Sequence, residues 1–115
     1  MKSHKDLIVY KTSIDLVVSV YNLTKNFPIE EKFGLTSQLR RASVSISSNI
    51  AEGAARSSKK EFIKYLYISL GSLAEVETQL EIAVRLKLIS ENKELEEQSI
   101  YIRRMILKLI QSLKE

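Results

Sequence analysis

Apolar residues recur at intervals of three and four along most of this chain, which is the spacing of one face of an α-helix. They do not follow the interval of two that marks a half-buried strand. Glycine and proline, which interrupt helices, number only three and one in 115 residues. The pattern therefore predicts an all-α protein, and the length is that of a single domain.

Start and stop signals divide the chain into four predicted helices. Their predicted bounds are 7–26, 36–55, 58–88 and 92–113. The first helix ends ahead of Pro28, because the residue before a proline is kept out of the α region. Thr36 is a candidate cap for the second helix. Ser58 and Glu61 have the spacing of a capping box for the third.

The connections near Arg56 and Ile89 are very short, and short connections make consecutive helices antiparallel neighbours. We therefore expect an antiparallel up-down-up-down four-helix bundle. Each helix contributes one apolar seam to its predicted core. The four seams are Val9, Leu16, Val20 and Leu23; Leu39, Ile46 and Ile50; Phe62, Leu66, Leu73, Val76, Leu80 and Val84; and Leu95, Ile102, Met105, Ile106, Leu109 and Leu113.

The first helix carries more apolar surface than a bundle core requires, with an arc of roughly 200° where about half would suffice. The third helix has a second, mixed stripe beside its core seam. These stripes are either ordinary surface apolar groups or a surface for self-association. We favour self-association because the excess is organised. The predicted interface residues are Tyr10, Ile14, Val17, Tyr21, Ile68, Ile82 and Leu86.

The second helix is rich in small residues and has a polar strip opposite its seam. Within the strip, Glu52 and Arg56 have the favourable i, i+4 spacing for an ion pair. The strip is either a solvated face or a cationic groove that binds phosphate. If the turn to the third helix centres near Arg56, Arg41 lies near Ser72 and Glu75. We therefore predict a structural polar network of Arg41, Glu52, Ser72 and Glu75.

The formal net charge is +4 and the isoelectric point is near 9.3, which permits an anionic partner but is modest for a dedicated nucleic-acid binder. The excess is concentrated near the second helix and the start of the third. The candidate nucleic-acid contacts there are Arg40, Arg56, Lys59, Lys60 and Lys64. Repeated around an oligomeric ring, a small excess per subunit becomes a continuous cationic band.

The sequence offers little material for catalysis. With no cysteine and a single histidine, His4, near the terminus, we expect no catalytic residue, no metal site and no cofactor. The glutamates lack the Glu-x-x-His pairs of a di-metal helical bundle. Tyr65, Tyr67 and Tyr101 are either base-stacking residues or core and interface residues, and we favour the second interpretation.

Hydropathy gives no sign of a membrane protein. The longest uncharged stretches are about half of the ~20 residues that a membrane-spanning helix needs. The first residues lack the apolar region of a signal peptide. The absence of cysteine fits a reducing compartment, so we expect a cytoplasmic protein that makes no contact with a membrane.

One stretch is far more specific than the composition. Residues 33–53 read FGLTSQLRRASVSISSNIAEG; Val9-Tyr10 and Asn26-Phe27-Pro28 precede them, and Arg56 and LGSLAEVETQL at 70–80 follow. These strings, in this order, cover essentially the whole chain and resemble the bacterial 23S rRNA-intervening sequence protein family. Tyr10 stands where relatives often carry tryptophan, and Ser47 where many carry proline, and neither change threatens the fold.

The resemblance implies an antiparallel four-helix bundle that assembles as a homopentamer, a ring of bundles. The chain is also similar to the accessory variability (Avd-like) protein of diversity-generating retroelements, a related basic pentamer linked to nucleic-acid binding and to a reverse transcriptase partner. We therefore expect a non-enzymatic homo-oligomeric bundle that associates with RNA or other nucleic acid. The alternative is a protein–protein adaptor that does not bind nucleic acid directly.

Overall fold

The computed structural model describes residues 3–115, which contain four α-helices and no strand. The helices are α1 (Ile8–Thr24), α2 (Leu35–Ala54), α3 (Lys59–Arg85) and α4 (Lys93–Lys114). Short 3-10 turns lie at His4–Asp6 and Ile29–Glu31. The predicted all-α, four-helix architecture is confirmed, and each helix bound lies within three residues of the predicted one.

The helix starts are stabilised by side-chain oxygens that accept free backbone N–H groups. The Ser58 hydroxyl accepts the N–H of Glu61 at 3.1 Å, and Asn92 Oδ1 accepts that of Leu95 at 3.1 Å. The predicted cap of α2 was wrong, since Thr36 lies inside the first turn. Glu31 instead accepts the N–H of Leu35 at 3.1 Å, and its negative charge suits a helix N-terminus.

The C-terminus of α3 lies three residues before the predicted one because the backbone reverses at Lys87. Lys87 has φ 62°, the left-handed conformation that glycine usually supplies. The N–H of Leu88 donates to the carbonyl of Ala83, and the N–H of Lys87 to that of Val84, both at 2.9 Å. These two bonds form a Schellman motif, which closes the helix and directs the chain toward α4.

Each helix packs against two neighbours: α1 and α3 both contact α2 and α4, and the α2–α3 contact is the most extensive. The predicted seam of α2 is completely buried, and Leu80, Met105 and Leu109 are only partly buried at the edge of the core. The buried apolar residues are Val9, Leu16, Val20, Phe27, Leu35, Leu39, Ala42, Ile46, Ile50, Phe62, Leu66, Leu73, Val76, Ala83, Leu95, Ile102, Ile106 and Ile110.

Buried serines let the helix backbones approach closely. Ser69 donates to the carbonyl of Ile46 at 3.0 Å, which joins α3 directly to the backbone of α2. The hydroxyls of Ser13 and Ser47 lie 2.9 Å apart and join α1 to α2. A hydrogen bond of this kind contributes about 1 kcal/mol, and burial of an unpaired hydroxyl costs more. These pairs therefore fix the register of α2 between its two neighbours.

Candidate nucleic-acid interface

The connection between α2 and α3 brings a group of cations together because the two helices meet closely there. Gly53, in the last turn of α2, lies directly against α3. A Cβ atom at Gly53 would lie 2.8 Å from Tyr65 Cβ and 3.0 Å from Phe62 Cδ1. Only glycine fits this contact without displacement of α3. Tyr65 is consequently held within reach of Arg56, just beyond the end of α2.

Arg56 is held by two partners on different helices. Its guanidinium donates to Glu52 at 2.5 Å and to the Tyr65 hydroxyl at 3.0 Å, and it lies 5.1 Å from the Tyr65 ring centroid. The ion pair expected from the i, i+4 spacing is therefore present. The hydrogen bond with Glu52 raises the pKa of the Arg56 guanidinium above its usual value.

Lysines extend this positive surface along α3. Lys59 and Lys60 are exposed in the first turn, and Lys64 lies 5.9 Å from the Tyr65 ring centroid. Lys114, near the end of α4, adds a further cation, since its Nζ lies 3.4 Å from the Tyr67 hydroxyl. We call Arg56, Lys59, Lys60, Lys64 and Lys114 the basic end.

The sequence did not predict Lys114 as part of this surface, because it is 47 residues away from Tyr67 along the chain. The signal for it was the topology: if helices three and four run in opposite directions, the end of the fourth lies beside the start of the third. Four of the five predicted nucleic-acid contacts, Arg56, Lys59, Lys60 and Lys64, do lie together.

Arg40 is not part of the basic end. It lies near the start of α2, more than about 20 Å from Arg56 at the rise of a helix. Its Nε donates to Thr24 Oγ1 at 2.8 Å, and its guanidinium lies 4.6 Å from the Tyr21 ring centroid. Arg40 therefore joins α2 to the end of α1, which leaves its side chain only half exposed.

The predicted ion pair between Arg41 and Glu75 does not form within the described chain. Both side chains are exposed, and residues 3–115 show no hydrogen bond or ion pair between them. Near these residues, α2 and α3 are joined instead by a hydrogen bond between two short side chains. The Ser72 hydroxyl donates to the Ser45 hydroxyl at 2.9 Å. Of the predicted polar network, Ser72 does bind α2 and Glu52 binds Arg56, but the four residues do not form one network.

The predicted oligomer interface divides into two surfaces. On α1, Tyr10, Ile14 and Val17 line a groove of about 210 Å³ against α2. Ile14 is 38% exposed, and Tyr21 is 39% exposed although Arg40 lies over its ring. On α3, the predicted residues leave much of their apolar surface in solvent, with Ile68 41%, Ile82 43% and Leu86 58% exposed. Exposure of this kind on one chain is what an unfilled interface would show.

Residues 3–115 hold no cluster of three or more histidine, cysteine or carboxylate side chains able to hold a metal ion. His4 packs edge-on against Tyr10, with ring centroids 4.8 Å apart. None of the helices described is both long and apolar enough to cross a membrane.

Comparison with known proteins gives a family match over nearly the whole chain. Residues 5–108 match the family model described as 23S rRNA-intervening sequence protein. A similar solved structure is a protein of unknown function from the S23 ribosomal protein family of Bacteroides thetaiotaomicron. It is 29% identical with a TM-score of 0.83, over 90% of this chain and 96% of that chain. No curated protein matches the sequence.

Proposed function

The chain belongs to the 23S rRNA-intervening sequence protein family, and from this starting point we propose that it is a non-enzymatic homo-oligomer that associates with RNA or other nucleic acid. The observation that carries the proposal is the basic end. Five cations from two helices and the turn between α2 and α3 meet there, while one of the nearby carboxylates, Glu52, is already paired with Arg56. Such a surface suits phosphate, which every RNA offers in the same way.

The proposed assembly is an antiparallel bundle that forms a homopentameric ring. The antiparallel arrangement is supported by contacts between neighbouring helices, because the residue number falls along one helix as it rises along the other. Gly53 meets Phe62 and Ser45 meets Ser72 across α2 and α3, and Lys114 meets Tyr67 across α4 and α3. The exposed apolar residues of α1 and α3 support self-association.

Assembly makes the modest charge of one chain more effective. In a ring, each subunit contributes one basic end, so the cations form a band around the assembly. The proposed setting is the cytoplasm. Similarity to the accessory variability protein adds a reverse transcriptase as a candidate protein partner, with no partner in a membrane.

Binding of unrelated RNAs of equal length tests this proposal. At about 50 mM salt, where phosphate contacts are strongest, we expect similar affinities for each RNA by fluorescence anisotropy. Joint replacement of Arg56, Lys59 and Lys60 by glutamine should weaken all of them about equally. The matched control replaces three exposed lysines elsewhere, Lys25, Lys87 and Lys93, and should leave affinity nearly unchanged.

The adaptor alternative is favoured by a different observation. In the connection between α1 and α2, Ile29 is 77% and Phe33 is 89% exposed, and neither belongs to the predicted interface. Exposed apolar groups of this size suit a protein partner. If the wild-type oligomer binds no RNA at about 50 mM salt, the adaptor function replaces the nucleic-acid function.

A further inference from the structure

Tyr67 is not a core residue. Its side chain is 48% exposed in the third turn of α3. Tyr65, two residues earlier, is half-buried, and Arg56 covers its ring. Tyr67 therefore presents a large aromatic surface to solvent beside the basic end, and nothing in the core explains it.

Lys114 of α4 contacts the Tyr67 side chain, and two lysines of α3 share its helix face. Lys60 and Lys64 lie on the same face of α3, because the spacing i, i+4, i+7 places the three residues in one row. From α4, Lys114 Nζ approaches to 3.4 Å from the Tyr67 hydroxyl and 5.8 Å from the ring centroid. The Tyr67 ring therefore lies at the end of a row of exposed lysines on α3 and in contact with the exposed Lys114 of α4.

The next turn of α3 leaves this surface open. Gly71 follows Tyr67 by four residues on the same face and carries no side chain. A Cβ atom at Gly71 would meet no atom within 4 Å, so the space beyond the ring is empty on that side. An unpaired base therefore has room to approach the ring, while its flanking phosphates meet lysines.

We propose that Tyr67 is a stacking platform for an unpaired base, so that the preferred ligand of the basic end is single-stranded nucleic acid. This inference rests on the proposed nucleic-acid function and names its substrate class. A flat ring among cations is the combination that single-strand binding surfaces use, because bases stack on the ring and phosphates meet the charges. Bases inside a duplex are already stacked and do not reach the ring.

The chain contains no tryptophan, so a single introduced tryptophan reports on one position. The test compares Tyr67→Trp with Tyr101→Trp, a matched control on α4. Tyr101 is 52% exposed, and in residues 3–115 no cation lies over its ring. The probes are an RNA strand of about 15 nucleotides, within the range of about 4 to 16 nucleotides that one single-strand binding fold covers, and its duplex with the complementary strand.

We expect the single strand to quench the fluorescence of Tyr67→Trp, the duplex to quench it little, and neither to quench Tyr101→Trp. By anisotropy, Tyr67→Leu should lose about tenfold in affinity for the single strand, the order of one stacked base, and keep its affinity for the duplex. The salt dependence should stay unchanged, since no charge is removed.

Two results overturn the inference, and they are distinguishable. If the single strand binds but neither quenches Tyr67→Trp nor binds Tyr67→Leu more weakly, the stacking role is wrong and the phosphate-binding function stands. If no RNA binds the wild-type oligomer at about 50 mM salt, the proposed function and the stacking role are both wrong.

Discussion

Replacement of Gly53 by alanine tests the close approach of α2 and α3 that builds the basic end. The added Cβ atom would lie 2.8 Å from Tyr65 Cβ and 3.2 Å from the Phe62 carbonyl oxygen. Neither atom is the far end of a flexible side chain, so α2 and α3 must move apart. Overpacking of this kind costs about 1 to 3 kcal/mol, against a helix-propensity gain of at most about 1 kcal/mol. We expect a net decrease of up to about 2 kcal/mol in the free energy of unfolding.

The matched control is Gly71→Ala on α3, where a new Cβ atom meets nothing within 4 Å. There only the propensity gain remains, so we expect stabilisation by about 0.5 to 1 kcal/mol. Urea unfolding followed by circular dichroism, at one protein concentration for all variants, measures both changes. Equal effects of the two substitutions, or stabilisation by Gly53→Ala, would refute the close approach.

Three further predictions concern the helix ends and the polar pairs. Lys87→Gly should stabilise the protein by about 1 kcal/mol in thermal unfolding, since glycine adopts positive φ without strain; destabilisation would contradict the Schellman geometry. Glu75→Ala should change the unfolding free energy by less than about 0.5 kcal/mol, since Glu75 is exposed; a decrease of several kcal/mol would restore the predicted pair with Arg41. A double-mutant cycle of Ser13→Ala and Ser47→Ala should give a coupling energy of about 1 kcal/mol; additive effects would show that the two hydroxyls do not interact.

The helical periodicity predicted the core well because burial follows the spacing of apolar residues. Leu39, Ile46 and Ile50, the seam expected on α2, are fully buried. The prediction was less accurate in the last turns of α3. Val84 is only partly buried, while Ala83 is fully buried in the same turn. A change of one position along a helix turns a side chain by about 100°, which the apolar pattern alone does not resolve.

Polar partners were harder to predict, because they depend on the register between helices. The pair Glu52–Arg56 is local and was found from spacing, whereas the hydrogen bond of Arg40 with Thr24 joins two helices. Arg40 is half-buried and Arg41 is exposed, although the two are the same residue type in adjacent positions. The sequence therefore predicted the four cations of the basic end that are close together along the chain, and it did not predict Lys114.

The oligomeric state can be measured independently of any ligand. Light scattering coupled to gel filtration should give about five times the 13.2 kDa protomer mass at micromolar concentration. A mass of 13.2 kDa would contradict self-association and leave the apolar residues of α1 and α3 unexplained.

The salt dependence of RNA binding tests the central claim most directly, because its slope reports how many phosphates the basic end neutralises. For the wild-type oligomer we expect a steep fall of log affinity with log salt concentration. Replacement of Lys59, Lys60 and Lys64 by glutamine should flatten the slope by about 0.7 for each phosphate of a single strand that the variant no longer neutralises. Replacement of Lys25, Lys87 and Lys93, which removes the same charge elsewhere, should keep the slope. Equal slopes for the two triple variants would contradict the assignment of RNA binding to the basic end.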